Sequence, residues 1–389
     1  MSDRNSTTLG DIAEIISGST PKSNVNDYWD GDIAWATPND LSKLENKEIF
    51  TTARLLTQQG LESCSARILP PNSVLFTSRA PIGHIAINKI PMATNQGFKS
   101  FIPDTSKVDP NYLYYWLKEK KPYIQHLGRG ATFKEVSKQI VAAITINLPP
   151  LQEQRRIAKE LDLSIKMRDL ARSRISKINQ IEASLFYMFF GDPLINSKGW
   201  DQKRIKDIAN IQTGNTPARA NKNYYGSSIE WIKSDNLNNN DNYPTKAKEM
   251  LSKEGSRVGR IAQKDSILVT CIAGSPSCIG NSCLLNRAVA FNQQINSIEL
   301  FTEDPIFIYF QIKLYKRLIQ NASNNSMKGM VNKKNFGEIH LITPPISIQR
   351  KFVEKINLLK DFSLLINRSE SLSSELLSSS SCKLMGRSL

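Results

Sequence analysis

The residues best suited to chemistry in this chain of 389 residues are its cysteines and histidines. Three cysteines lie close together, but they lack the paired two-residue spacing of a zinc site. They are Cys271, Cys278 and Cys283, and the histidines that could complete a site are His84, His126 and His340. The total of five cysteines is odd, so buried free thiols are the simpler interpretation. We expect no metal or other cofactor in this chain.

Sequence motifs of nucleotide-binding and methyl-transfer enzymes are also missing. The chain has no Gly-x-x-x-x-Gly-Lys-Ser/Thr loop, so nothing marks an ATP site. The stretch NLPPL (147–151) has an extra leucine and no aromatic residue, unlike the Asn-Pro-Pro-aromatic motif of amino-methyltransferases. The stretch PDTSKVDP (103–110) lacks the acidic-x-Lys partner of a nuclease site. The sequence therefore favours a protein that is not an enzyme.

The net charge of +15 is the first positive indication of function. The excess of lysine and arginine is spread over every segment of the chain and does not form a basic tail. Such a balance suits a polyanion partner, because lysine and arginine release counterions from phosphates. A basic protein without such a partner would have the same charge.

One pair of loops carries side chains suited to DNA bases. In TSRAPIGH (77–84), Arg79 stands beside Ser78 in an otherwise small and apolar loop, and arginine is the usual partner of guanine. The loop TCIAGSPSCIGN (270–281) occupies the corresponding place later in the chain and has no arginine. Base reading there would depend on Ser275, Ser277 and Asn281.

A second pair of loops places glycine beside lysine, which suits contact with a phosphate backbone. These loops are GRGATFKEVSKQ (128–139) and SNNSMKGMVNKKN (323–335). Lys233 is a further, weaker candidate, and any single lysine could equally be a solvated surface charge. The candidates for DNA contact in this second set are Arg129, Lys134, Lys138, Lys233, Lys328, Lys333 and Lys334.

The chain contains an internal repeat that relates these loops. A shift of 196 places DIAEIISGSTP over DIANIQTGNTP, and 11 of the 33 positions from Leu9 to Leu41 are identical. Farther on, ATNQ (93–96) matches AFNQ (290–293). The Pro-Pro pairs realign with a shift of 195, so the spacing changes little over the whole length. The pattern indicates a tandem duplication.

Each copy of the repeat predicts a compact α+β domain. Short apolar runs alternate with clusters of Gly, Pro, Asn and Asp, which is typical of strands and turns. A short helix, a lysine-bearing loop, one more strand and a Pro-Pro pair follow. We expect globular domains at residues 1–150 and 192–345.

A long helix is predicted after each Pro-Pro pair, at residues 151–191 and 346–389. Apolar residues recur there at helical spacing, and Gly191 with Pro193 marks the end of the first helix. The second helix ends in the serine-rich stretch SESLSSELLSSSSCKL, where we expect it to fray. Polar residues interrupt the apolar stripe of each long helix, so neither helix is expected to be stable without a partner. We therefore expect the two helices to pair as an antiparallel coiled coil with one globular domain at each end.

The ordered set of motifs resembles the specificity subunit of type I restriction–modification systems. The set comprises GDIAEIISGSTP, IAWATPNDL, VLFTSRAPIGHIAI, ATNQGF, LPPLQEQRRIA and FFGDP, and most of it occurs twice. The resemblance covers essentially the whole chain. It implies two target-recognition domains that each read one half of an asymmetric bipartite DNA sequence, with conserved spacer helices that set the gap.

The resemblance also implies partners and a location. Two adenine methyltransferase subunits would dock on the helices, and two ATP-dependent translocase/endonuclease subunits would complete the restriction enzyme. S-adenosylmethionine and ATP with magnesium would belong to those partners. The chain has no membrane-length apolar run, so we expect it in the cytoplasm, with the nucleoid when bound to DNA. The alternatives are a stand-alone DNA-modifying or nicking enzyme and a coiled-coil protein scaffold.

Overall fold

The computed structural model of the protein describes residues 5–79, 81–128, 134–238, 242–323 and 330–384. Contacts between residues divide the chain into two compact units. The first unit comprises residues 1–172 and 367–389, and the second comprises residues 173–366. Each unit therefore contains one copy of the repeat together with a part of each long helix. The predicted limits of the four domains remain a prediction, because the units divide within the helices.

The first copy consists of short strands with short helices between them. Its strands are β1 (Asn5–Thr8), β2 (Ala13–Ser17), β3 (Trp29–Ala36), β4 (Glu48–Ile49), β5 (Arg54–Leu56), β6 (Val74–Phe76), β7 (Ile85–Asn88), β8 (Ala93–Thr94), β9 (Lys99–Pro103) and β10 (Thr145–Leu148). Its helices are α1 (Leu9–Ile12), α2 (Pro38–Ser42), α3 (Gln58–Glu62), α4 (Pro110–Leu127) and α5 (Lys138–Ala142), and the long helix α6 (Leu151–Phe190) follows.

The second copy repeats most of this series of elements. Its strands are β11 (Gln202–Arg204), β12 (Ala209–Thr213), β13 (Tyr225–Ile232), β14 (Met250–Leu251), β15 (Ile261–Ala262), β16 (Ile267–Thr270), β17 (Ser282–Leu284), β18 (Val289–Phe291), β19 (Ile295–Leu300) and β20 (His340–Ile342). Its helices are α7 (Ile205–Ile208), α8 (Lys253–Val258), α9 (Pro305–Leu314), α10 (Arg317–Gln320) and α11 (Lys333–Gly337), and the long helix α12 (Ile346–Leu384) follows. The second copy has a 3-10 turn at Ser234–Leu237 where the first copy has α2, and it has the two helices α9 and α10 where the first copy has α4.

The strand order shows that the two copies share a common core topology, to which the first copy adds the edge strand β4 and the second copy adds the edge strand β15. In the first copy β2, β9, β6, β7 and β4 form one sheet in that order, and β5, β3 and β8 form another. In the second copy the corresponding orders are β12-β19-β16-β17 and β14-β13-β18-β15. The prediction of a duplicated α+β domain is therefore confirmed.

The Pro-Pro pairs end the last strand of each copy. Strand β10 pairs antiparallel with β1, and β20 pairs in the same way with β11, so each copy is closed by its first and last strands. Pro149 and Pro150 follow β10 directly, and proline has no backbone N–H for a further ladder bond. Proline is also well accommodated just before and at the start of a helix, and α6 begins at the next residue.

A buried glutamine in the first turn of each long helix fixes the direction in which the helix leaves. The side chain of Gln154 donates to the carbonyls of Lys107 (3.0 Å) and Pro149 (2.9 Å) and accepts from the N–H of Asp109 (3.0 Å). Asp109 is the N-cap of α4, so the glutamine ties the start of α6 to the start of α4. In the second copy Gln349 accepts from the N–H of the N-cap residue Asp304 (2.9 Å).

The two long helices run antiparallel within each unit. In the first unit Ser380 of α12 donates to Glu160 of α6 at 3.1 Å, and Glu370 pairs with Arg172 at 3.1 Å. The partner residue number rises on one helix as it falls on the other, which confirms the predicted orientation. In the second unit the ring of Phe352, from α12, lies 5.2 Å from that of Phe190, from α6.

The apolar stripes of the long helices also pack on the globular copies, more extensively than the prediction of a mutual coiled coil implied. In the first unit Ile157 and Leu161 join the core that surrounds Tyr112. In the second unit Phe186 and Phe190 join the core of α9. The helices are therefore part of each core, because the duplicated sheets leave an apolar face that a helix covers.

The expectation that the serine-rich end of α12 frays is wrong within the described residues. The helix continues to Leu384, whose carbonyl accepts a hydrogen bond from the hydroxyl of Tyr112 at 3.3 Å. Ser373 and Ser380 are both buried, with exposed fractions of 0% and 2%. Small side chains at these two positions permit a close approach of backbones, whereas Ser371, Ser374 and Ser378 of the same stretch are exposed. Within the described residues, no helix has the length and apolar character needed to cross a membrane.

Replacement of the buried glutamine should test its role in the fold. We expect Gln154→Ala to lower the free energy of unfolding by about 3 kcal/mol, because it leaves one N–H and two carbonyls of the buried loop without partners. Gln152→Ala, at an exposed position of the same turn, should change it by less than about 0.5 kcal/mol. Urea unfolding followed by circular dichroism gives both values, and equal stability of the two variants would contradict this role.

Candidate nucleic-acid interface

In the first copy, backbone hydrogen bonds bring the two predicted loops together at the end of β6. The N–H groups of Ser78 and Arg79 both donate to the carbonyl of Gly97, at 2.8 and 3.3 Å. The N–H of Val136 donates to the carbonyl of Ser78 at 2.9 Å, and Arg79 forms an isolated β-bridge with Glu135. The loop after β6, the turn at residues 95–97 and the segment before α5 therefore form one continuous surface.

The second copy builds the same surface with the same hydrogen bonds. The N–H groups of Cys271 and Ile272 donate to the carbonyl of Gln294 at 2.8 and 3.1 Å. The N–H of Val331 donates to the carbonyl of Cys271 at 2.8 Å, and Ile272 forms a β-bridge with Met330. This pattern makes Ile272 the structural counterpart of Arg79, and Gln294 the counterpart of Gly97. We call these two surfaces the strand-end surfaces of the first and second copies.

The predicted residue Ser78 is placed differently from its neighbour. Ser78 is completely buried, and its hydroxyl donates to the carbonyl of Gly97 at 3.3 Å. It therefore helps to hold the loop and offers no exposed surface to DNA, contrary to the contact expected of it. Arg79 is exposed at the edge of the same surface, and its predicted contact with a base stays a prediction.

The predicted lysines at the ends of the second pair of loops are exposed. Lys138 and Lys333 occupy the first position of the equivalent short helices α5 and α11, and Lys334 follows on α11. Lys134 lies beside the bridge residue Glu135. Within the described ranges, these four lysines form no ion pair with the protein. The candidates Arg129 and Lys328 lie outside the described residues.

Lys233 already has partners within the second copy. Its ammonium lies 2.8 Å from a carboxylate oxygen of Glu249 and 4.9 Å from the centre of the Trp231 ring. Glu249 also pairs with Arg219 at 2.8 Å, and the hydrogen bonds from Lys233 and Arg219 lower the pKa of this carboxyl group. A lysine held in this way is less available to a phosphate than the lysines of α11.

The polar residues expected to read bases in the longer second loop are bonded among themselves. The hydroxyls of Ser275 and Ser277 lie 2.8 Å apart. The side chain of Asn281 donates to Asn238 and accepts from Lys316. These contacts shape the loop, while Ser275 and Ser277 remain exposed and their contact with bases stays a prediction.

Sequence reasoning missed Lys121 of α4, which lies against the loop after β6. The left-handed residue Gly83 (φ +92°) leaves room for Lys121, whose Cγ would lie 2.7 Å from a Cβ at that position. Gln125, one turn farther along α4, donates to the carbonyl of Ile82 at 2.9 Å. The corresponding bond joins Gln320 to Ile279 at 3.2 Å. The positive φ of Gly83 could not be inferred from spacing alone.

The clustered cysteines belong to the core of the second copy. Cys271 and Cys283 are buried, and burial raises the pKa of the Cys271 thiol to about 12 and that of Cys283 still further. Both thiols are therefore neutral at ordinary pH and pack as small apolar groups. In the described part of the chain, no group of three or more His, Cys, Asp or Glu residues is arranged to hold a metal ion.

Comparison with solved structures supports the architecture. The crystal structure of a type I restriction–modification S subunit from M. genitalium matches with a TM-score of 0.66 at 14% sequence identity, over 100% of this chain and 98% of that chain. At this level of identity, the likeness concerns the fold alone.

Comparison with curated proteins gives more similar sequences. The MjaIX specificity subunit of Methanocaldococcus jannaschii is 36% identical over 229 residues, which are 54% of this chain and 53% of that protein. The HindI specificity subunit of Haemophilus influenzae is 30% identical over 165 residues, which are 41% of this chain and 35% of that protein. The first of these matches spans about half of its relative, and the second about a third.

The family assignment follows from a domain profile that matches both copies of the repeat. The profile describes the type I restriction modification DNA specificity domain, and it matches residues 1–180 and 197–372. The matched segments include both strand-end surfaces and most of both long helices. The chain therefore belongs to the type I restriction modification DNA specificity domain family.

Proposed function

We propose that this protein is the non-catalytic DNA-recognition subunit of a type I restriction–modification complex, in which each copy reads one half of an asymmetric bipartite sequence. The observation that carries this proposal is the pair of strand-end surfaces. Their backbone hydrogen bonds are the same, whereas Arg79 and Gly97 are replaced by Ile272 and Gln294. A shared frame suits docking on the same duplex geometry, and different side chains suit different bases.

The distribution of charge supports a DNA partner in both halves. Exposed lysines border the two strand-end surfaces at equivalent positions, Lys138 on α5 and Lys333 on α11. Lysine contacts with phosphate position a protein on DNA but carry no sequence information. Together with the net charge of +15, these lysines would supply the salt-dependent part of the affinity.

Substitutions at the two kinds of position should separate base reading from phosphate binding. We expect Arg79→Ala to lose about 1–3 kcal/mol of discrimination at one base of one half-site. Lys333→Ala with Lys334→Ala should weaken binding to all sequences alike and reduce the salt slope by about 1–2. The control Arg67→Ala removes an exposed charge that pairs with Glu14. Binding selection from a random duplex library gives the motif of each variant, and affinities measured at several salt concentrations give the salt slope. An Arg79→Ala variant with the parental motif would contradict its role.

The long helices carry matching exposed apolar faces, which we propose as docking sites for two adenine methyltransferase subunits. On α6 the exposed residues Leu163, Met167 and Leu170 lie on one face at helical spacing. On α12 the residues 195 positions later are also exposed and apolar. These are Leu358, Phe362 and Leu365, with exposed fractions of 58%, 63% and 67%. Exposed apolar patches of this kind mark interaction surfaces.

In the same proposal, catalysis belongs to the partners. S-adenosylmethionine would be bound by the methyltransferase subunits. ATP and magnesium would be bound by two translocase/endonuclease subunits that join them. The duplication of the apolar face is what supports two copies of the first partner.

Charges placed on one apolar face should remove one methyltransferase subunit. The purified chain alone should transfer no methyl group, and addition of a cognate methyltransferase subunit should give a complex with two copies of it. Leu163→Asp with Met167→Asp should leave one copy, because the equivalent face on α12 is untouched. Mass photometry counts the copies, and the control Ser173→Asp with Gln180→Asp changes exposed polar positions of the same helix. Two bound copies on the Leu163 and Met167 variant would refute this docking site.

We further propose that the long helices set the unread gap between the half-sites. Both helices are continuous through the residues at which the two units divide, near 172 and 366. Seven residues inserted at both places would preserve the contacts within each unit and add about 10 Å of helix. At about 3.4 Å per base pair, the gap in the methylated motif should lengthen by at most about three pairs. An active insertion variant with the parental gap would exclude this role.

A further inference from the structure

The turn at residues 292–294 of the second copy, which contains Gln294, is built in the same way as the turn at residues 95–97 of the first copy. The side-chain oxygens of Asn95 and Asn292 accept from the N–H two residues later, at 3.0 Å in Gly97 and 3.2 Å in Gln294. The N–H groups of Asn95 and Asn292 donate to β3 and β13, each at 3.0 Å. The backbone is therefore conserved up to the residue at which the side chains diverge.

Three neighbouring positions of the strand-end surface change together between the copies. A Cβ built on Gly97 would lie 3.7 Å from Cγ of Pro38 and 3.9 Å from Cβ of Arg79, so these three positions adjoin. In the first copy the long cationic side chain of Arg79 lies beside Gly97. In the second copy Gln294 takes the place of the glycine, and the apolar Ile272 takes the place of the arginine. The three pairs of equivalent positions are Pro38 and Ser234, Arg79 and Ile272, and Gly97 and Gln294.

The amide of Gln294 is held in one orientation. Its oxygen accepts from the hydroxyl of Ser234 at 3.1 Å and from the side-chain nitrogen of Asn292 at 2.9 Å. Among the described residues, no acceptor is bonded to its nitrogen. The residue is half-buried, so the nitrogen carries two N–H donors on a side chain that has already lost most of its freedom. A fixed donor at low entropic cost is suited to recognition.

We propose that Gln294 is a specificity-determining residue of the second copy and donates to an acceptor on a base edge, an inference that rests on the proposed function. Acceptors in the major groove are O6 and N7 of guanine, N7 of adenine and O4 of thymine, whereas cytosine offers only its N4 donor. Because both acceptor sites of the amide oxygen are used by the protein, Gln294 rejects cytosine on the contacted strand. In the first copy Arg79 supplies donors from the adjoining backbone position.

Two substitutions of similar size test this assignment. Gln294→Glu keeps one oxygen for Ser234 and Asn292 and replaces the free N–H donors with an acceptor, which favours the N4 group of cytosine. Gln294→Met removes the hydrogen-bonding group altogether. We expect the first variant to shift one base of one half-site towards cytosine by about tenfold, and the second to lose preference at that base. The other half-site should be unchanged.

The measurement is binding selection by the full chain from a random duplex library, with methylome sequencing of cells that also express a cognate methyltransferase subunit. The control Gln293→Glu adds the same charge at the exposed neighbouring residue, which bonds to Thr216, and should weaken binding without changing the motif. Parental motifs for both Gln294 variants would overturn the assignment. So would equal loss of binding to every sequence by both variants at an unchanged melting temperature. A parent chain that selects no bipartite motif would instead refute the proposed function.

Discussion

The organisation of each copy depends on one buried glutamine, Gln154 in the first and Gln349 in the second. Each amide accepts from the backbone N–H of the residue that caps α4 or α9, and it donates to the carbonyl of the proline five residues earlier. An amide in this environment is costly to bury unless its groups are paired, so the bonds leave little freedom for the helix that starts there. The cores then form around that fixed direction, with Phe186 and Phe352 meeting at 5.7 Å in the second unit.

The duplicated frame separates the task of folding from that of recognition. The hydrogen bonds that the two strand-end surfaces have in common join backbone groups and one asparagine side chain in each copy, Asn95 or Asn292. The divergent residues Arg79 and Gln294 contribute their backbone groups to these shared bonds, and their side chains take no part in them. A side chain can therefore change without loss of the fold, and the two halves of one chain can acquire different base preferences.

Much of the fold could be predicted from sequence, because its signals are local. Pro150 and Gly191 bracket a helix that the structure describes as Leu151–Phe190, and the repeated motifs predicted the shared topology. The site was harder to predict, because exposure depends on tertiary bonds. Ser78 and Arg79 are adjacent in sequence, yet only Arg79 is exposed. Gln294 escaped notice because it directly follows the matched stretch AFNQ, where alignment marks similarity and not the first point of divergence.

The interruptions of the apolar stripes show how the repeat differs between units. Glu182, on α6 in the second unit, is 4% exposed, and burial raises its pKa, while Lys313 lies 3.5 Å away. The residue 195 positions later on α12 is Leu377, which packs on the core of the first unit. Lys118, the counterpart of Lys313, has a pKa lowered first of all by burial. A leucine in place of Glu182 would leave Lys313 without its carboxylate. Both globular copies thus have a lysine at this position, but only the end of α6 supplies a carboxylate for it, whereas the equivalent end of α12 supplies the apolar Leu377. The polar interruption at Glu182 therefore makes the two helix ends chemically different, although the copies on which they pack share one fold.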